Sequence, residues 1–291
     1  MSWLDRLKGR PRDAPAPAPP PPPANGEDYT LDELLAPHRE AIAAAALPQV
    51  DIEATVVPAD QASGLEPDGM EARASKFGGV PFLPAGAHWP QEKSGVRMGF
   101  VAQVNFAEVP PLPGFPREGI LQAFESDEMT SEPGNAFGVV RFFDAERARA
   151  PHVPPGPGRH GEHDSVRRPH RLSFAPGTSA GSAYDVAFEK VLTDLGLGKL
   201  YAYGAARDDR YDLAGEELSD DYRATGHHLG GYAAFTQSDP RKPADPDVHV
   251  LQIDSIGDIM FGDVGIAHVF IPRDALATGD WSRAYYYWDC S

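Results

Sequence analysis

Eight short segments of this chain alternate in polarity or run apolar over the length of a strand, and Gly, Pro and Asp punctuate the gaps between them. They are VDIEATVV (50–57), VRMGFVAQVNF (96–106), GILQAFES (119–126), AFGVVRFF (136–143), HRLSF (170–174), DVHVLQID (247–254), IAHVFI (266–271) and AYYYW (284–288). A period of two sorts side chains onto the two faces of a pleated strand, so most of the chain must enter a sheet. Helical patterns are fewer. TLDE from Thr30 is a capping-box start, and LDELLAPHREAIAAAAL then reads as helix until Pro48, with Pro37 kinking it or opening a second helix. A clear helix is expected over about Ala183 to Leu195 and a weaker one near Leu213 to Tyr222. Strand runs and helices are segregated, which makes the fold class α+β, a largely antiparallel sheet with a few helices. Pro (30) and Gly (29) supply about a fifth of the 291 residues, as many turns between short elements require.

The segment SKFGGVPFLPAGAHWP (75–90) concentrates this turn chemistry. Gly78 and Gly79 permit a left-handed backbone or a close approach where any Cβ would cost energy, and Pro81, Pro84 and Pro90 restrict the same stretch. The result is a stiff joint. A second copy of the pattern exists: KFGGVPFLP is matched by HLGGYAAFT near residue 228, FVAQVNF (100–106) by HVLQIDS (249–255), and GILQAFES by GIAHVFIP (265–272), in the same order. An internal duplication, about 76–126 and 228–272, is therefore expected, with the two halves related by an approximate two-fold axis and Gln103 equivalent to Gln252.

Charge limits the partners. The 43 acidic residues against 26 basic ones give a formal charge of −17, a field that repels nucleic acid and anionic lipid and favours a basic partner. The single cysteine, Cys290, forms no internal disulfide, and no twenty-residue apolar run or signal-like apolar region is present, so a cytoplasmic location and no membrane span are expected. Residues 1–28 read as a peptide, with Trp3, Leu4 and Leu7 on one side, followed by a disordered Pro-rich linker. The first ten residues are either a tethered docking peptide or a frayed terminus. Residues 29–291 read as one domain.

SKFGGVPFLPAGAHWP, FVAQVNF followed by LPGF and GILQAFES, GHHLGGYAAFTQSDPR (226–241), VLQIDS, FGDVGIAHVFI (261–271) and the terminal YYYWDC (285–290) together resemble the YwqG-like family of bacterial proteins. The resemblance covers roughly residues 50–291. It implies a single α+β unit with extensive sheet and no defined activity. Its association with bacterial polymorphic-toxin loci implies an antitoxin or immunity role.

Within these stretches the polar residues His228, Gln237, Asp239, Arg241, Asp254 and Asp263 are densest, and Gln103, equivalent to Gln252, and the aromatic Trp89 are candidate binding residues with them. They line a binding cleft, or the aspartates satisfy turn amides beside glycines while His228 packs. A metal centre at Asp254, Asp263 and His228 would need those three to converge, and no established metal-loop spacing is present, so no metal and no cofactor are expected. GTSAG (177–181) matches the G-x-S-x-G elbow, with Ser179 as nucleophile and His249 or His268 as base, although Ala175 and Pro176 interrupt the approach. Ser182 and Asp185 make a capping box that accounts for the local serines without chemistry. GPGRHG (156–161) neither follows a strand nor opens a helix, and the His-rich loop of residues 150–170 reads as an insertion. The aromatic residues Trp89, Trp281, Trp288 and Tyr285 to Tyr287 are core contacts or interface anchors. The expected function is a non-enzymatic module, immunity-like or regulatory, that presents an acidic cleft to a basic protein such as a toxin. The alternative is a hydrolase using Ser179 or the Asp254/Asp263/His228 centre.

Overall fold

A computed structural model describes residues 28–58, 68–127, 137–155, 165–201, 208–243 and 247–291. The N-terminal peptide, the Pro-rich linker and GPGRHG lie outside the described residues. The helices are α1 (Leu31–Leu35), α2 (Arg39–Ala44), α3 (Ala145–Ala148), α4 (Val186–Asp194), α5 (Asp212–Asp221) and α6 (Arg273–Thr278). The strands are β1 (Leu47–Val56), β2 (Lys76–Phe77), β3 (Gly99–Asn105), β4 (Ile120–Glu125), β5 (Gly138–Phe143), β6 (His170–Ser179), β7 (His227–Gly230), β8 (Val248–Asp254), β9 (Ile266–Ile271) and β10 (Tyr285–Asp289). The described residues divide into two compact units, one drawn from within 1–48, 178–225 and 231–247 and another from within 49–177, 226–230 and 248–291. Among the described residues no helix is long and apolar enough to cross a membrane.

The larger unit holds the sheet, in the order β10-β9-β8-β7-β1-β6-β2-β3-β4-β5, largely antiparallel. Its two edge strands return toward each other, so the sheet nearly closes: Phe137 packs on Tyr287 at 5.2 Å and Phe142 stacks on Trp281 at 4.8 Å. All eight strand segments read from the sequence are strands. HRLSF continues through Pro176 to Ser179, and two short strands, β2 and β7, are additional because runs of two and four residues running into a Gly-Gly pair carry no alternation to read. In β2 and β3 Lys76 stands opposite Gln103, which stands opposite Gln122 of β4; in β7, β8 and β9 His228 stands opposite Gln252 and Gln252 opposite His268. The register shifts between Phe100 and Ala102 in β3 and between His249 and Leu251 in β8.

The Gly-Gly joint has a physical cause. Gly78 and Gly79 both have positive φ, 62° and 78°, and a Cβ on Gly79 would lie 2.6 Å from Oδ2 of Asp68. That carboxylate accepts from Nζ of the fully buried Lys76 at 2.8 Å and from the Val80 amide at 2.9 Å. The glycine lets the backbone close over a buried ion pair that a side chain would displace.

The smaller unit is helical. The capping box at Thr30 forms, with Glu33 N–H donating to the Thr30 hydroxyl and the Thr30 amide to Glu33 Oε2, and Pro37 falls in a 3-10 turn (Ala36–His38) that separates α1 from α2. The Ser182/Asp185 box does not form. Asp185 itself is the N-cap of α4, its carboxylate accepting from Ala187 N–H at 2.7 Å, so the helix begins three residues later than expected. Leu34, Phe188, Leu192, Ala214, Leu218 and Tyr232 share one core.

Candidate functional site

The polar residues singled out in the sequence divide between the two units. In the sheet unit, Gln103 is fully buried and every bond it makes is internal: Oε1 accepts from the Phe82 amide and from Gln122 Nε2, and Nε2 donates to the Ala72 and Ala74 carbonyls, all at 2.8 Å. It clamps two loops to the sheet. Trp89 is a core residue, its Nε1–H donating to the Met98 carbonyl at 2.9 Å, its ring packed on Phe100 and Phe124, with the Arg97 guanidinium 5.0 Å over its face. His228 is buried, Nδ1–H donating to the Gly230 carbonyl at 2.9 Å, and its ring meets His249 edge-on at 5.2 Å. Asp254 accepts from the Gly226 amide at 2.8 Å, as an aspartate satisfying a turn does, and Asp263 is exposed in the loop before β9. Among the described residues no three His, Cys, Asp or Glu side chains gather to hold a metal ion.

Beside them His227 is strongly perturbed. Burial, reinforced by the neighbouring His170 and His228, pulls its pKa down to about 4. Its Nδ1 accepts from the Asp254 amide at 3.0 Å, which requires the neutral ring. His170 Nε2 lies 3.1 Å from Asp258, which also pairs with Arg168 at 2.7 Å.

In the helical unit, Asp239 and Arg241 belong to a buried cluster with Asp185. Arg241 Nη2 lies 2.7 Å from Asp185 and 2.6 Å from Asp239, its Nε donates to Asp239 at 2.9 Å, and its Nη1 donates to the Asp247 carbonyl at 3.1 Å. The carboxylates also accept from the Ala233 amide (2.7 Å, Asp185) and the Val186 amide (3.0 Å, Asp239), tying the 231–241 loop to the start of α4. Burial pushes the Asp185 carboxyl up against the pull of Arg241; burial opposes the Arg241 charge, but the two carboxylates outweigh it and hold the guanidinium above its ordinary value. This is a structural knot with no open face. Gln237 is exposed in the same loop. Ser179 ends strand β6 instead of sitting on a strand-to-helix elbow, is buried, and accepts from the Tyr232 amide at 3.2 Å.

The open chemistry of the helical unit lies around α5, which the sequence reading had only as a weak helix. Residues 208–221 carry seven carboxylates, Asp208, Asp209, Asp212, Glu216, Glu217, Asp220 and Asp221, against Arg210 alone. That charge run was the available signal, and a solvated helix face accounts for such a run equally well from sequence. Ala214 and Leu218 bury one stripe of α5 in the core, so the acidic face turns outward, with Leu213 exposed on it. On one flank is a hollow of about 540 Å³ lined by Tyr184, Tyr201, Tyr211, Asp212, Glu216 and Asp220 among others. At its rim Asp208 takes Arg210 in a two-bond fork (2.9 and 2.8 Å) and Lys199 at 3.0 Å, which hold its carboxyl well below the usual range. Lys199 also lies 5.4 Å over the Tyr211 ring, so the hollow already holds one cation between carboxylate and tyrosine face. On the other flank of α5 is a hollow of about 570 Å³ lined by α1, α2, Ala180, Glu217, Asp221 and Tyr222.

The last turn of α5 is electrostatically unfavourable. Asp220 and Asp221 stand where the helix dipole is negative, and no basic residue occupies that turn. Arg223, beyond the helix, pairs with Asp220.

No curated protein matches the sequence. The model of the family described as "Domain of unknown function (DUF1963)" matches residues 75–290, which contain both Gly-Gly joints, strands β2 to β10 and the acidic helix α5, and the chain belongs to that family.

Proposed function

We propose that the protein is a non-enzymatic binding module whose acidic hollow beside α5 receives a basic protein. The observation that carries this is a tyrosine-lined concavity bordered by the exposed Glu216 and Asp220 and the half-buried Asp212, with Tyr184 exposed in its lining and Leu213 exposed elsewhere on α5. Carboxylates focused in a hollow attract a cationic surface and raise the association rate, and tyrosines with an exposed leucine supply the contact area that holds it. Two aspartates kept in the last helical turn cost local stability that an external cation would restore. The resemblance to YwqG-like proteins implies a toxin-like partner and an immunity or regulatory role, and the single cysteine, Cys290, supports a cytoplasmic location. The acidic site differs from the cleft expected around His228, Asp239 and Asp254, whose polar groups serve the fold.

We also read β2–β4 and β7–β9, within residues 76–126 and 228–272, as copies of one ancestral module. Supporting this are the paired columns Lys76, Gln103, Gln122 and His228, Gln252, His268, the register shifts at corresponding places in β3 and β8, and positive φ at Gly78, Gly79, Gly230 and Gly231.

The test is capture of basic proteins at low and high salt by the wild type and by an E216K/D220K variant, with each captured protein then purified and titrated directly. A basic protein bound at low salt, released at high salt and ignored by the variant is expected. Equal binding to wild type and variant overturns the acidic-site assignment.

A further inference from the structure

The second hollow, on the opposite flank of α5, differs in chemistry from the acidic one. Its walls are α1, α2 and α5, and its floor is apolar, with Ala43, Ala46, Ala180 and the Tyr222 ring exposed or half-buried over the buried side chains of Leu31, Leu35 and Ile42. Its rim is acidic. Asp32 is already engaged by Arg39, Glu217 accepts from the Leu31 amide at 2.6 Å, and Asp221 stands exposed at the end of α5. The one basic residue of the lining is therefore committed, and the rim presents net negative charge.

We infer that this groove receives an amphipathic cationic helix of the partner protein, its apolar stripe on the alanines and its Lys or Arg side chains on the rim carboxylates. The inference rests on the binding function proposed above. The walls are helices, so an extended segment finds no strand edge to pair with, and recognition must come from side chains. Alanines let a second helix backbone approach closely, and a hollow of about 570 Å³ accepts several apolar side chains at once. Charge selects the polar face. A partner helix with carboxylates flanking its stripe would meet Asp221 and Glu217 with like charge, whereas a cationic one neutralises them.

The experiment uses two synthetic peptides of identical leucine and lysine composition, one with leucines at i, i+3, i+4 and i+7, the other scrambled, titrated by fluorescence anisotropy into the full chain. Ala43 and Ala180 are both exposed, so A43Q/A180Q obstructs the groove without altering the core; circular dichroism checks that it folds. The striped peptide should bind at least about tenfold more tightly than the scrambled one, and A43Q/A180Q should remove that advantage. Equal binding of the two peptides overturns the groove assignment. If that common binding is lost in E216K/D220K, the acidic site stands without the groove; if neither peptide binds, both readings fall. A dimer that A43Q/A180Q dissociates would assign the groove to a second copy, and striped-peptide binding seen only after removal of residues 1–27 would assign it to the chain's own N-terminal peptide. Either result overturns the inference.

Discussion

His227 should make the sheet unit acid-sensitive in a calculable way. Its pKa is pulled from 6.5 to about 4, first by burial and then by His170 and His228, and its relative exposure is 8%. The unfolded chain takes up this proton near pH 6.5, while the folded chain resists until about pH 4. Between those values the unfolded state binds more protons, so the contribution is fully present above pH 6.5 and is lost as pH falls to about 4. A shift of this size corresponds to about 3 kcal/mol. Part of the cause is visible directly, since protonating Nδ1 would turn the acceptor of the Asp254 amide into a donor facing a donor. His227→Asn is the informative perturbation, because Oδ1 of asparagine can accept from the Asp254 amide but does not titrate. Urea unfolding followed by tryptophan fluorescence at pH 7.5, 6, 5 and 4 should show the wild type losing about 3 kcal/mol more than H227N across the series. Carboxylates and the remaining histidines titrate in both proteins and largely cancel in the difference. Parallel pH profiles would refute the assignment of this proton to His227.

Gln103→Leu should cost about 4 kcal/mol in urea unfolding, because it strands the Phe82 amide, one N–H of the Gln122 side chain and two loop carbonyls inside the sheet unit. Arg241→Met should destabilise by about 3–5 kcal/mol by leaving Asp185 and Asp239 buried without their cation, and adding Asp185→Asn should recover part of that loss in a double-mutant cycle. Asp221→Asn should raise stability by about 0.3–1 kcal/mol through relief at the C-terminus of α5 while weakening capture of the basic partner, with unfolding and binding measured on one preparation. Val264, exposed at φ 57°, should be more stable as V264G by about 1 kcal/mol in the same unfolding assay, because a β-branched residue is strained there.

The sheet was legible in two ways: β1 and β6 alternate because one face is exposed, and β3, β4, β8 and β9, covered on both faces, read as strand-length, mostly apolar runs. What was not legible was short or conditional. Strands β2 and β7 exist because their neighbours supply partners on both sides. The start of α4 was misplaced because Ser182 and Asp185 both satisfy a capping pattern, and the choice went to Asp185, whose second oxygen could also take Ala233 N–H. For the site, polarity beside glycine was a poor guide. Such residues are dense where backbone turns need partners, and Asp254 and Asp239 are spent in that way. The seven carboxylates of residues 208–221 were in view, but only the packing of Ala214 and Leu218 showed which way they face.

The contrast between the buried polar groups and α5 decides where function should be sought. A side chain can act on a ligand only with donors, acceptors or charge that folding has not already used. Gln103 makes four internal bonds, Asp254 closes a turn, and Arg241 with Asp185 and Asp239 forms a knot whose removal would unfold more than it would disarm. Glu216 and Asp221 are exposed, and Asp220 and Asp221 occupy the helix end that disfavours them. Beyond the exposed Arg223–Asp220 pair, folding gives no reason for carboxylates there, since asparagine or lysine would serve the helix better. An approaching cationic surface does give a reason, and it turns the same repulsion that weakens the free helix into attraction at the moment of contact.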